Sequence, residues 1–377
     1  MQNYTHRFPL TVALLAAFLL SAEQSSADDK TTIGGYGNAV YSRNFDAEVS
    51  TADLERFVLF FGHEFSQKIS LVSELEMEDA KVSGGDAGGE IAFEQAYLRF
   101  TLDAGHSLVA GLFLPRMGIL NENHLPTSFN GNERTQVETF IIPSTWRELG
   151  VGFYGSNDVL PVEYSIAIVN GLNASGFSHG SVIREGRFEG RNASANNIAL
   201  TGSIAYSTGN ARMQVSGYYG GSVGLPPAAA DSLRLRGGAF GTPVALGEAD
   251  VQFSAGPFAF RLLGTLVSIP DAAAINAAFG NNTPKSAYGA YAETAYTVKS
   301  LTVFVRYEKL DMNSSLPANG TYDGTLNQNH LITGVSFVPL ENIVVKADIR
   351  FTRTASAPAA QGNQETTFLT VGFGFSF

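Results

Sequence analysis

From Thr31 to the last residue, Phe377, runs in which apolar and polar side chains alternate at every second position recur. Leu301, Val303, Val305 and Tyr307 alternate with Thr302, Phe304, Arg306 and Glu308. Ile343, Val345, Ala347, Ile349 and Phe351 alternate with Val344, Lys346, Asp348, Arg350 and Thr352, and a third run of the same kind spans 198–207. A period of two is the strand period, and runs of about 9–11 residues are long enough to cross a bilayer when tilted. One face then meets lipid and the other a polar interior. A soluble sandwich shares the period, but it does not need Tyr and Phe repeatedly at strand ends, where interface girdles place them.

The connections sort into two kinds. Tight ones fall near Ser66-Gln67, 103–105, 156–159, 208–210, Gly256-Pro257, Lys299-Ser300 and 339–342. Long polar, Gly- or Ala-rich ones fall around 43–52, 80–89, 116–146, 171–194, 221–247, 270–285, 311–328 and 355–363. Short turns at one end and long loops at the other are the pattern of a transmembrane antiparallel β-barrel. Counting segments gives about sixteen strands, with eighteen as the alternative. With sixteen, both termini lie at the short-turn, periplasmic end. The closing run puts Thr367, Leu369, Val371, Phe373, Phe375 and Phe377 on one face and Gly372, Gly374 and Ser376 on the other. A barrel has no free edge, so this strand is expected to pair with the first, TIGGYGNAVY. A terminal Phe on an alternating strand resembles the assembly signal of bacterial outer-membrane barrels.

The chain has 377 residues and no cysteine, which excludes disulfides and thiolate metal sites. Residues 1–27 read as a secretory signal. His6 and Arg7 precede an apolar core from Leu10 to Leu20, and Ser25 and Ala27 fit the cleavage rule, with a cut after Ala22 as the alternative. That core is too short for a membrane anchor. Residues 28–377 then form one barrel domain exported to a Gram-negative outer membrane. Cleavage removes one charge of each sign, so the net charge stays at −11. Acidic balance argues against nucleic acid as a partner and leaves outer-membrane lipid and small hydrophilic solutes or ions.

One stretch breaks the alternation. Gly111–Glu148 carries Pro115, Pro126, Pro143, both charge signs and Trp146, the only tryptophan. About thirty residues without a period argue for a functional loop. It is the third long loop, and it is expected to fold into the barrel and narrow it. Trp146 reads as a packing or interface residue rather than a sugar-stacking platform.

The blocks GEIAFEQAYLRF, AGLFLPRMGILNENHLPTSFNG and VETFIIPSTWRELGVGFYG, from about Gly89 to Gly155, resemble the outer-membrane porins grouped with the phosphate-selective porins O and P. The resemblance implies a barrel, a homotrimer, an inward-folded third loop and diffusion of small anions of the phosphate type. The phosphate-selective members rely on a lysine cluster and an arginine ladder, and the third loop here has no lysine.

In a pore the chemistry is a field rather than bond-breaking: rings of charge select ions, and opposed rings orient dipolar solutes. The expected constriction loop supplies Arg116, Glu122, His124, Glu133, Arg134 and Glu138. On the lumen wall, Glu64, Glu74, Glu76, Glu78 and Glu94 fall on early strands, and Arg212, Arg261, Arg306, Lys346 and Arg350 on later ones. Arg99 and Arg147 lie at strand ends near the loop. This sorting suggests acid on one wall and base on the opposite one. The plain alternatives are a solvated wall and ion pairs that only pin the loop. A lipid-facing charge costs roughly 2–4 kcal/mol at the bilayer midplane, which is why these residues are assigned inward.

No cofactor is expected. GGYGNA is not a dinucleotide fingerprint, since no helix follows it. His63, His106, His124, His179 and His330 show no metal-ligand spacing. No serine stands near a suitable His and carboxylate, so no enzymatic activity is expected. Against the diffusion channel stands an adhesin or receptor acting through the long loops.

Overall fold

The computed structural model describes residues 30–79, 89–157, 159–359, 362 and 364–377. Residues 1–27, and with them the signal segment, lie outside the described residues. The first eight strands are β1 (Lys30–Asn44), β2 (Val49–Ser66), β3 (Ile69–Glu78), β4 (Ile91–Thr101), β5 (His106–Phe113), β6 (Glu148–Asn157), β7 (Val162–Asn170) and β8 (Ile198–Thr208). The second eight are β9 (Ala211–Gly220), β10 (Val244–Ala255), β11 (Phe258–Ser268), β12 (Ser286–Val298), β13 (Leu301–Ser315), β14 (Asn327–Leu340), β15 (Ile343–Thr354) and β16 (Glu365–Ser376). Each pairs antiparallel with its sequence neighbours, and β1 closes on β16, giving a sixteen-strand closed barrel. The count of sixteen is the one the alternation favours, and the first and last strands pair as barrel closure requires. Closure brings Gly35 N within 3.0 Å of Phe377 O, so both ends of the barrel chain lie at the short-turn end.

The alternation is expressed as burial. On β13, Leu301, Val303, Val305 and Tyr307 are exposed while Phe304, Arg306 and Glu308 are buried. On β15, Val345, Ile349 and Phe351 are exposed while Val344, Lys346 and Asp348 are buried. Because the sheet is closed, the exposed face is the outside. Phe65, Phe253, Phe258, Tyr296 and Phe337 are exposed there beside the short turns. The resulting apolar sheath is far more extensive than the patches a soluble protein shows to water. No helix among the described residues is long and apolar enough to cross a membrane, which says nothing of strands.

The tight connections fall where turn residues place them. One expected long loop does not: 43–52 is reduced to residues 45–48, with Asn44 Oδ1 accepting from the Asp46 and Ala47 amides. Its polar residues belong to the extended ends of β1 and β2, which pair as far as Asn44↔Val49. The break in alternation marked strand ends that continue beyond the apolar belt, not a loop.

The interior is not uniformly polar. Leu263 and Val267 of β11, Ala287 of β12 and Leu310 of β13 are buried on the inner face. They join one apolar cluster with Met117, Ile119, Val137, Ile141 and Trp146 of the third loop and with Leu172, Phe177, Ile183, Ile269 and Ile275 of the next loops. Two polar cavities lie elsewhere, along the β1–β6 wall.

Candidate functional site in the third loop and the inner wall

The segment 114–147 leaves β5, turns through the short helix α1 (Gln136–Phe140) and returns to β6. Thr135 caps α1 by accepting from the Glu138 amide at 3.1 Å. Glu138 is fully buried, and its carboxylate accepts from the Ile119 and Leu120 amides at 2.7 Å each and from the Tyr291 hydroxyl at 2.8 Å. It therefore gathers three parts of the structure. Gly118, at φ +74°, is glycine because a Cβ would stand 2.6 Å from that carboxylate. Asn121 does the same at the base of the segment, donating to Pro115 O and Trp146 O and accepting from Trp146 N. Trp146 is fully buried, donates to Glu148 at 2.8 Å and packs on the Tyr218 ring. It is a packing residue.

Inner-face side chains from many strands hold this segment by its backbone. The basic ones donate to carbonyls: Arg261 to Ser128 O at 3.0 Å, Arg306 to Asn130 O at 3.2 Å, and Lys346 to Phe129 O and Gly131 O at 2.7 and 2.8 Å. Acidic ones accept from amides: Glu308 from Gln136 and Val137, Asp348 from Asn132, and Glu248 from Gly118. Arg306 is also paired with Glu293 at 3.2 Å and Glu308 at 2.8 Å. Arg350 pairs with Glu133 and lies over the Phe368 ring. On β16 the fit is closest, since a Cβ on Gly372 would lie 2.5 Å from Asn132 Oδ1 and one on Gly374 2.5 Å from Pro126 Cβ.

Around the β1–β6 wall the chain leaves space. A cavity of about 430 Å³ is lined by Glu55, Arg56, Glu76 and Glu78 from the wall, Arg134 from the segment, and Arg184 from the loop 171–197. A second, of about 360 Å³, is lined by Tyr97, Arg99, Arg116, Glu122, Tyr154 and Glu163, next to the 103–105 turn. The first thus lies toward the long loops and the second toward the short turns.

The sequence-selected residues divide accordingly. Arg116 pairs with Glu122 at 3.0 Å and with Glu163 at 3.6 Å, and Arg99 donates to the Tyr97 hydroxyl. Arg212 bonds Gln214 and reaches Glu163 at 4.0 Å. Glu76 pairs with Arg56 at 3.5 Å, and Glu74 accepts from Gln95 at 2.9 Å. Arg147 pairs with Glu189 at 2.9 Å. Arg134 is half-buried, and its Nη2 has no hydrogen-bond partner. Burial, then the nearby Arg56 charge, lowers its guanidinium to about 10, so it remains a cation at neutral pH. Glu64 is exposed near the β2–β3 turn, away from these groups.

Several residues of the site escaped selection. Arg184 donates to Thr139 O and Ser144 O, and Arg187 to Pro143 O and Thr145 O, so the loop 171–197 clamps the third loop by its carbonyls. The signal was there in REGRFEGR, a run with three arginines in an otherwise Gly-rich loop. The absence of metal-ligand spacing in sequence also conceals a juxtaposition, because Glu74, Glu94 and His124 converge in space. Between Glu74↔Gln95 and Leu75↔Phe93 the β3–β4 ladder slips by one residue, and Glu94 is the extra one. Such a bulge re-aims a side chain.

No family model matches the chain. OmpF of Salmonella typhi, solved in complex with daunomycin, superposes with a TM-score of 0.59 at 12 % identity, over 93 % of this chain and 98 % of that one. The outer membrane channel DcaP of Acinetobacter baumannii gives 0.58 at 12 % identity, over 94 % and 99 %. The trimer form of OmpT, an outer membrane protein of Vibrio cholerae, gives 0.54 at 9 % identity, over 93 % and 100 %. At such identities the likeness carries the fold, a barrel of the kind found in outer-membrane porins and channels. The expectation that the chain is not an enzyme is corrected by the same comparison: OmpT is among the matches at 9 % identity, and a barrel shared at that distance leaves catalysis open. A protein of Aquifex aeolicus (strain VF5), described as uncharacterised, is 30 % identical over 336 residues, covering 84 % of this chain and 74 % of that protein. With that identity spread over most of both chains, this protein belongs to the family of the Aquifex aeolicus protein.

Proposed function

We propose that the protein is an outer-membrane porin, a passive diffusion channel for small hydrophilic solutes and ions. In this reading the apolar sheath faces lipid, the short turns face the periplasm, and the segment 114–147 crosses the lumen as its constriction. The observation that carries the reading is the distribution of the segment's partners. They sit on the inner faces of β4, β9 to β13, β15 and β16, which a surface loop does not reach together. The two charged cavities on the β1–β6 wall are then vestibules above and below the narrowest point, and the solute path runs along that wall rather than down the axis.

The arginines and lysine of β11, β13 and β15 serve first to hold the loop. What a solute meets is the mixed lining of the larger cavity, Arg56, Arg134 and Arg184 facing Glu55, Glu76 and Glu78. Opposed signs within about a Debye length of 8 Å orient dipolar solutes and leave ion preference weak. A phosphate-type preference would rest on Arg134 and Arg184. A homotrimer is the expected assembly. Purified protein in a planar bilayer, under a salt gradient, tests this: stable conductance steps with a small reversal potential are expected. A large potential of either sign would reject weak selectivity, and an absence of steps would reject the channel.

A further inference from the structure

We propose that Glu74, Glu94 and His124 form a binding site for a divalent transition-metal cation of the zinc class, which fastens the third loop to the β3–β4 wall. One donor atom from each residue lies within 4.8 Å of the others. A tetrahedral ion with bonds of about 2.1 Å places its ligands about 3.4 Å apart, so closing on the ion takes side-chain adjustment only.

The histidine is set for this role. Its Nδ1 lies 3.0 Å from the carbonyl oxygen of Asn121, which can only accept, so Nδ1 carries a hydrogen. Asn121 is in turn fixed by its side-chain bonds to Pro115 and Trp146. An Nδ1–H held by a backbone carbonyl is the usual support of a metal-bound imidazole, leaving Nε2 as the ligand. Here Nε2 faces Glu94 Oε2 at 3.3 Å. With one ring hydrogen, that places a lone pair against a carboxylate oxygen. Either a second ring proton or a cation must lie between them.

A separate observation favours the cation. Glu94 is fully buried, and its Oε1 has no hydrogen-bond partner. Its other oxygen is shared by His124 and the Tyr36 hydroxyl, 3.0 Å away. A second proton on His124 bonds Oε2 and leaves Oε1 orphaned, at a cost that buried polar atoms rarely bear; an ion chelated by both oxygens of Glu94 satisfies each. Of the arginines nearby, Arg56 is engaged by Glu76, and Arg134 acts on Glu94 through its charge without a hydrogen bond from its Nη2. One imidazole with two carboxylates suits zinc, cobalt or nickel better than calcium, which takes six or more oxygens. The site lies between the two cavities: His124 lines the larger one, and Gln95, which bonds Glu74, lines the smaller.

The test is calorimetric titration of chelator-treated, full-length protein in detergent with zinc alone. One saturable site per chain is expected. Glu74→Gln and His124→Gln should each weaken it by more than the roughly 10–100-fold typical of a supporting residue, and His63→Gln and His106→Gln, outside the cluster, should not. Far-UV circular dichroism and gel mobility before and after boiling establish that each variant is folded. If His124→Gln does not fold, X-ray absorption at the zinc edge of the loaded wild type substitutes, with nitrogen and oxygen ligands and one imidazole expected. Absence of saturable binding, binding that survives both substitutions, or an edge spectrum without imidazole would overturn the proposal and leave a doubly protonated His124 as the partner of Glu94. Binding in detergent requires no conduction, so this outcome and that of the bilayer experiment are independent.

Discussion

Arg306 shows how the single residue works in this barrel. It is buried, ion-paired with Glu293 and Glu308, and bonded to the carbonyl of Asn130. Buried ion pairs add little net stability when complete, but removing one partner strands the other charges. Arg306→Ala should therefore cost on the order of 3–5 kcal/mol, read from the urea midpoint of unfolding in detergent. A cost below about 1 kcal/mol would mean that the pair is solvated and the wall is wet there. Trp146 gives a second reading at this scale. As the only tryptophan, and fully buried, it should fluoresce at short wavelength and resist acrylamide quenching in the folded protein. Strong quenching would place it in an open vestibule. Trp146→Phe, which leaves the Glu148 carboxylate short of a donor, should cost about 1–3 kcal/mol in the same unfolding assay.

Among the elements, the third loop departs from the alternation and the wall is shaped to receive it. Gly372 and Gly374, small residues on the inner face of β16, are the seats of Asn132 and Pro126. Gly374→Leu should push Pro126 off the wall and into the larger cavity it lines, without touching the outer face, lowering conductance while the boiling-dependent gel mobility of a closed barrel is kept. Unchanged conductance would mean that the loop tip does not set the narrowest point. Much of this element was legible: three prolines, mixed charge and lost periodicity marked it off from the strands. Its mode of attachment was not. Sequence pairs charge with charge, whereas Arg261, Arg306 and Lys346 spend their hydrogen bonds on backbone carbonyls, and a carbonyl leaves no mark in the sequence. The Glu74–Glu94–His124 convergence was hidden for a related reason, since it depends on a one-residue slip in the β3–β4 ladder.

For the whole molecule, the period of two determined most of the architecture. It set the strand number, the closure of β16 on β1 and the outward face of each strand, because a closed antiparallel barrel leaves few other arrangements for such a pattern. The same pattern suggested a polar interior, and there the packing differs: apolar inner residues such as Leu263, Val267 and Leu310 form the bed of the loop cluster. The apolar bed lies on one side of the interior and the two charged cavities on the other. The account therefore stands or falls on whether the loop narrows a continuous aqueous path. Single-channel conductance of the wild type, compared with a chain in which residues 119–134 are replaced by a short Gly-Ser link, addresses this most directly. Steady steps in the wild type and larger ones in the shortened chain are the result this account expects; a silent wild type, or equal steps in both, would contradict it.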